Sequence, residues 1–285
     1  MEKFDIIVIG GGIIGLSIAY ELVNRDLSCI VVEARESFGE GASSRNSEVI
    51  HGGFLSAPDS KRQQLCIEGG KIIKNRISLW EIEKRICGKL VVAVEDEELP
   101  RLEEIFLEAD RIGVEAIMLG EKQVRELEPA LLGSFSESVW FPGSGVFDTH
   151  SYMQMLKSKS EEGGTSVLFA QKVGKIFHDG STPSIEIEGE IVQASIVINS
   201  AGLDAGRILS DSGVETEKLS LKQEAWPGRW YRVHPSQTLG MKRLVYRTST
   251  PGQSGLGVHT TPDWAGDGVR LGPDSYFVDK ISEEF

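Results

Sequence analysis

The chain has 285 residues, 40% of them apolar, which is enough for a substantial core in one large or two modest domains. With 43 acidic residues against 30 basic ones the net charge is -13, which argues against a broad nucleic-acid surface and leaves anion recognition to local arginines. Cys29, Cys66 and Cys87 are odd in number and lack metal-ligand spacing, so they read as reduced core thiols.

The apolar run from Ile6 to Ile9 reads as a buried parallel strand, and Ile13, Ile14, Ser17, Ile18 and Leu22 read as one face of a following helix. Three glycines stand at the junction. Gly10 permits a tight turn, Gly12 lets a pyrophosphate approach the helix N-terminus, and Gly15 allows close helix–strand packing. A second strand over 29–33 ends in Glu33, placed to accept hydrogen bonds from an adenosine ribose. Strand, turn, helix, strand and terminal acid in that order favour a dinucleotide-binding start over an incidental glycine turn.

The stretch 40–53 is rich in small and polar residues and reads as a functional loop. A helix is expected over 64–83, with Leu65, Ile72, Ile73, Ile77 and Trp80 at mixed three- and four-residue spacing. A strand over 89–94 follows, then an amphipathic helix over 97–112 before Gly113, and a second helix from Glu121 that stops at Pro129. A short hairpin-like strand is expected between Val139 and Gly145, and a helix over 149–161. Beyond it the pattern predicts a strand over 166–176, a hairpin from 184–187 and 191–193, and a buried strand over 195–200 ending in Ala201 and Gly202. Strands of one sheet are thus separated by an inserted stretch. No apolar run reaches the roughly 18 residues of a membrane span and no signal peptide precedes the first strand, so the expected compartment is cytoplasmic, with peripheral membrane association left open.

Several segments carry a resemblance. The N-terminal glycine motif, Glu33 and Val197-Ile198-Asn199-Ser200-Ala201-Gly202 resemble the flavin-dependent oxidoreductase superfamily that includes D-amino acid oxidase and glycerol-3-phosphate dehydrogenase. Ser43-Ser44-Arg45-Asn46-Ser47-Glu48-Val49-Ile50-His51-Gly52-Gly53, Gly88-Lys89-Leu90-Val91-Val92-Ala93, Gly145-Val146-Phe147-Asp148, Leu256-Gly257-Val258-His259 and Leu271-Gly272-Pro273 resemble, in the same order, signatures of its L-2-hydroxyglutarate dehydrogenase branch. The implied architecture is α/β: a Rossmann-type FAD-binding domain, 1–87 plus 146–215, with an inserted β-rich substrate domain, 88–145 plus 216–285. The resemblance also implies a glycine-rich segment and a helix beyond Phe285 that close the FAD domain, and the expectation is that their lack weakens flavin binding and leaves apolar surface uncovered.

The implied cofactor is FAD. Ser43, Ser44, Arg45 and Asn46 supply hydroxyl, guanidinium and amide donors suited to a pyrophosphate and to flavin polar edges, and a flavin protein needs such a second donor loop where a nicotinamide enzyme does not. Ala201 and Gly202 come back beneath the cofactor in the family, and the strand holding Val173 offers backbone groups to the adenine. His51 has two readings, an imidazole beside the flavin ring or a structural histidine. His259, on a strand that faces the substrate in the family, is the better candidate for the base that removes a hydroxyl proton. Tyr246, Arg247 and Arg270 lie near the motifs of the substrate domain, and guanidinium groups can grip a carboxylate; each arginine taken alone also reads as a solvated surface residue. His150, His178 and His234 show no metal-ligand spacing. The expected activity is FAD-dependent oxidation of an L-2-hydroxy acid, L-2-hydroxyglutarate foremost, passing electrons to an unidentified acceptor: a quinone, an electron-transfer protein or oxygen. The rivals are an amino acid oxidase of the same superfamily and a non-catalytic remnant. Absence of the family's proline after Tyr246 and divergence over 223–231 put the substrate in question.

Overall fold

A computed structural model describes residues 3–178, 180, 182–248, 257–266 and 268–278; Leu256 of the motif quoted above lies outside them. The chain forms two compact units. One comprises residues 1–46, 149–225 and 278–285, the other 47–148 and 226–277.

In the first unit, strand Lys3–Ile9 runs parallel to Cys29–Val32 on one side and to Glu190–Asn199 on the other. Ser166–Leu168 continues the sheet beyond Cys29–Val32, while Val173–Phe177 and Ser184–Ile187 form a hairpin at the opposite edge. The single strand expected over 166–176 is therefore two strands at opposite edges of the sheet. Between them the backbone turns through Ala170 at φ 54°, where the amides of Ala170 and Gln171 donate to the carbonyls of Arg35 and Glu33. Conversely, the segments 191–193 and 195–200 form one strand that serves two partners: its first residues pair with Ser184–Ile187 and its later ones with Lys3–Ile9.

The helix Ile13–Leu22 buries Gly15, Leu16 and Ala19 and leaves Ile14 exposed, a rotation of the face expected from the apolar pattern. The turn fixes it. A Cβ at Gly15 would overlap the Gly10 carbonyl oxygen, so Gly15 must face the strand whatever its apolar neighbours prefer.

The second unit is a seven-stranded sheet in the order Gly228–Val233, Val269–Ser275, His259–Pro262, Leu244–Arg247, Lys89–Ala93, Glu137–Phe141, Ile117–Gly120. Its pairs are antiparallel except Leu244–Arg247 with Lys89–Ala93. Val91, Ala93, Val139, Phe141, Leu244 and Tyr246 on one face pack with Leu102, Ile105 and Ala109 of the helix Leu99–Arg111. A small sheet joins Val49–Ile50 and Lys84–Arg85 to Gly145–Phe147.

The unit boundaries differ from the expected ones. Residues 47–87 belong with the second unit: Phe54 stacks on Phe141 at 3.8 Å between ring centroids, and Gln63, near the start of helix Lys61–Leu79, donates to Glu108 Oε1 at 2.6 Å. Residues 216–225 belong with the first, where Gln223 accepts from the Gly206 amide at 2.7 Å and donates to the Gly202 carbonyl at 3.0 Å. Tertiary pairing, not sequence adjacency, decides both.

Candidate active site

The first unit builds a cradle at the end of its central strand. Gly10 adopts φ +103°, and a Cβ there would lie 2.6 Å from the Ser200 carbonyl oxygen and 3.1 Å from the Ala201 Cα, so the Asn199–Gly202 segment closes directly on the turn. Gly12 is the N-cap of helix Ile13–Leu22, and a Cβ there would meet Ser43 Oγ at 3.0 Å. Ser43 in turn accepts from the Ile13 amide at 3.0 Å, holding its loop at the helix N-terminus. Glu33 accepts from the Gly11 amide at 2.6 Å with one carboxylate oxygen and from the Arg35 amide at 2.8 Å with the other. Each oxygen keeps a further acceptor site.

Ser44, Arg45 and Asn46 tie their own loop: Ser44 Oγ donates to the Gly41 carbonyl, the Arg45 guanidinium to the carbonyls of Glu40 and Gly41, and Asn46 Nδ2 to the Ser43 carbonyl. Val173 is buried in its strand opposite Ile187.

The second unit carries the buried titratable side chains His259, Tyr246 and Lys89. His259 is 4% exposed and stacks on Tyr246 at 3.9 Å between centroids, 17° from parallel. Its Nδ1 stands 2.9 Å from the Gly257 carbonyl. A carbonyl can only accept, so Nδ1 carries the hydrogen and Nε2 bears the lone pair. Burial pushes the imidazole down to about 4, against the raising effect of that hydrogen bond and with some help from the Lys89 charge. At neutral pH it is an unprotonated base.

Lys89 was not singled out in the sequence. It is 0% exposed, its ammonium lies 4.4 Å from the Tyr246 ring centroid and 5.5 Å from that of Phe54, and burial pushes its pKa down to about 8. Lys89 Nζ, Tyr246 OH, His259 Nε2 and Thr261 Oγ1 are all buried without a hydrogen-bond partner. The register puts them together: Tyr246 faces His259 across one pair of strands, Lys89 faces Leu244 across the next, and residues two apart on a strand share a face. All four therefore lie on one face of three adjacent strands. The signal in the sequence was a lysine heading an apolar strand, where burial on both faces leaves an ammonium nowhere to go.

Arg270 reaches the same face, where Glu48 holds it at 2.6 Å and Asp263 at 3.1 Å. Glu48 does so from a backbone at φ 59°, a strained conformation for a non-glycine residue, in the loop that leads to His51. Arg247 does not join them. It follows Tyr246 on the strand, so it points to the other face, where it donates to Glu98 Oε1 at 2.6 Å. His51 lines a cavity of about 290 Å³ with Ile50, Phe54, Lys71, Lys74 and Ser144. Its residue surface is exposed, and packing of the surrounding atoms followed by the charges of Lys89, His259 and Arg62 biases it toward the neutral form.

Residues 5–284 match the family model described as FAD dependent oxidoreductase, DAO. The chain belongs to this family. It is 29% identical over 288 residues to a Caenorhabditis elegans protein named L-2-hydroxyglutarate dehydrogenase, mitochondrial, an alignment that takes in 98% of this chain and 65% of that protein. This DAO-family chain thus spans just under two thirds of such a relative. Among solved structures, L-alpha-glycerophosphate oxidase from Mycoplasma pneumoniae with FAD bound superposes with a TM-score of 0.88 at 22% identity, covering 100% of this chain and 76% of that one. Glycine oxidase from Geobacillus kaustophilus does so with a TM-score of 0.82 at 19% identity, covering 100% and 75%.

The first unit fits the family's cofactor. Gly12 puts no side chain of its own at a helix N-terminus whose amides and dipole favour an anion, the Ser43 hydroxyl stands beside it, and Glu33 keeps acceptor sites for ribose hydroxyls. Among the described residues, no group of three or more His, Cys, Asp or Glu could hold a metal ion, and no helix is long and apolar enough to cross a membrane.

Proposed function

We propose that this DAO-family chain carries out FAD-dependent oxidation of an L-2-hydroxy acid, with L-2-hydroxyglutarate the substrate its relatives favour. The observation that carries the reading is the tautomer and burial of His259. A neutral imidazole with Nδ1–H locked on the Gly257 carbonyl presents Nε2 as a bare base on a desolvated face. When bound, FAD would supply the acceptor for the hydride that a 2-hydroxy acid gives up on becoming a 2-oxo acid.

The chain's own residues do the rest. Nε2 of His259 takes the hydroxyl proton, and the Gly257 hydrogen bond stabilises the imidazolium that results. Stacking on Tyr246 and the edge-on contact with Trp230, at 5.1 Å, fix the ring plane. Arg270 stands on the same face, held in place by Glu48 and Asp263. The Glu33 and Gly10–Gly15 cradle would hold the adenosine and pyrophosphate end of the cofactor, with Ser43 fixing the 43–46 loop at the helix N-terminus.

The test is the visible spectrum of the purified protein followed by anaerobic addition of substrate. Flavin bands that bleach with L-2-hydroxyglutarate, and not with its D-enantiomer or with amino acids, are expected. Bleaching by amino acids with release of ammonia would replace this reading with that of an amino acid oxidase.

A further inference from the structure

We infer that Lys89 is the anchor for the substrate carboxylate, an anion site built into the floor of the sheet face that bears His259; the inference rests on the hydroxy-acid reading above. A lysine ammonium is almost never fully buried without a partner, because desolvation disfavours it strongly unless an anion or hydrogen-bond acceptors compensate. Lys89 is 0% exposed and its Nζ has no acceptor. Its close companions are the faces of Tyr246 and Phe54, which attract a cation but accept no proton from it. These two ring faces suit a positive charge and supply no negative one.

The neighbouring cations are already committed. Arg270 is held by Glu48 and Asp263, and Arg247 lies on the opposite face with Glu98. The other unpartnered atoms around Lys89 have the complementary chemistry. The Tyr246 hydroxyl and the Thr261 hydroxyl can each donate to a carboxylate oxygen, while His259 Nε2 is an acceptor that suits the adjacent hydroxyl. One 2-hydroxy acid would therefore satisfy a buried cation, two donors and a base on three neighbouring strands. The remaining titratable groups near the ammonium are the thiols of Cys66, on helix Lys61–Leu79, and Cys87, together with the two neutral-leaning imidazoles of His51 and His259. Burial pushes the Cys87 thiol up and both imidazoles down, so none of these three brings a negative charge at neutral pH.

The experiment compares wild type with Lys89→Met and Lys89→Arg in the flavin-loaded protein, by anaerobic stopped-flow reduction over a range of L-2-hydroxyglutarate concentrations. Lys89→Met is expected to weaken apparent substrate affinity about 100-fold or more, since it removes one partner of a buried charge pair, and Lys89→Arg to recover most of the loss. A diamide of the same acid, having no charge to pair, is expected to be affected equally little in all three proteins. Thermal melting without substrate separates anchoring from structure, because replacing an unpaired buried ammonium by methionine is expected to raise the melting temperature. Wild-type affinity in Lys89→Met, or equal losses for acid and diamide, would overturn the assignment. If no 2-hydroxy acid reduces the wild-type flavin, the hydroxy-acid reading fails on its own. Glutarate titrated into wild type and Lys89→Met by calorimetry then decides the anion site: binding lost with Lys89 upholds it, and equal or absent binding in both overturns it.

Discussion

Replacing Gly10 and Gly12 separately by alanine should uncouple folding from cofactor binding. At Gly10 an alanine meets two penalties. The backbone sits at φ +103°, where an L side chain is strained by about 1–3 kcal/mol. Its Cβ would lie 2.6 Å from the Ser200 carbonyl oxygen and 2.9 Å from the Ser200 carbonyl carbon, backbone atoms of a neighbouring strand end that can yield only if the sheet shifts, for about 1–3 kcal/mol more. The sum, about 4 kcal/mol, corresponds to a fall in melting temperature of roughly 10 °C. At Gly12 the backbone, φ -79°, suits alanine, and the methyl meets only Ser43 Oγ at 3.0 Å. Ser43 can rotate away, losing its bond to the Ile13 amide for about 1 kcal/mol. The same methyl fills the space through which a phosphate reaches the helix N-terminus. Loss of one charge-assisted hydrogen bond, about 1.5–3 kcal/mol, weakens FAD binding by about 10- to 100-fold. Melting of the apoprotein and FAD titration by fluorescence read the two effects. Should Gly12→Ala lower the melting temperature as much as Gly10→Ala, or keep wild-type FAD affinity, the geometry of the cradle has been misread.

Two further outcomes follow from the second unit. The folded-state pKa of His259, about 4, lies below its ordinary value of 6.5, so the unfolded chain binds a proton that the folded chain refuses. This stability is complete above pH 6.5 and is lost as pH falls toward 4, by about 2–3 kcal/mol; urea midpoints should therefore fall less between pH 7.5 and 4.5 in His259→Gln than in wild type, and identical falls would contradict a neutral buried ring. Arg247→Ala takes from Glu98, 1% exposed, its guanidinium partner while the Val94 amide still donates to it, and should reduce stability by about 1–2 kcal/mol because Arg247 itself is half exposed. Substrate KM should stay unchanged in that variant, and a raised KM would return Arg247 to the substrate face.

The strand–turn–helix–strand passage of the first unit was legible because its logic is local. Gly10, Gly12, Gly15 and Glu33 follow one another along a single strand–helix–strand passage, and each glycine answers to an atom the passage itself, or its returning partner strand, brings near. The second unit was legible only in part. Tyr246 and His259 are neighbours through a register that no spacing announces, and Lys89 acquires its burial from pairing with Leu244 and Phe141, far along the chain. Arg247 could have been set aside from the sequence, since alternation along a strand keeps adjacent residues from facing one site. The 166–176 segment misled for the opposite reason: its composition is continuous, and only the turn at Ala170, tied to Arg35 and Glu33, divides it.

The pairing of Lys3 with Gln193 and of Ile9 with Asn199 also sets a timetable for synthesis. At about 5–20 residues per second, the first strand to leave the ribosome waits on the order of 10–40 s for the strand that will lie beside it. Meanwhile Lys3–Ile9 has only Cys29–Val32 beside it, which gains Ser166–Leu168 late in the wait, and in the second unit Lys89–Ala93 finds Glu137–Phe141 early but waits on its other side for Leu244–Arg247. A nascent chain with two half-finished sheets is a natural client for a holding chaperone. Yield of this protein in a cell should therefore depend on growth temperature and chaperone supply more than on the final strength of its fold.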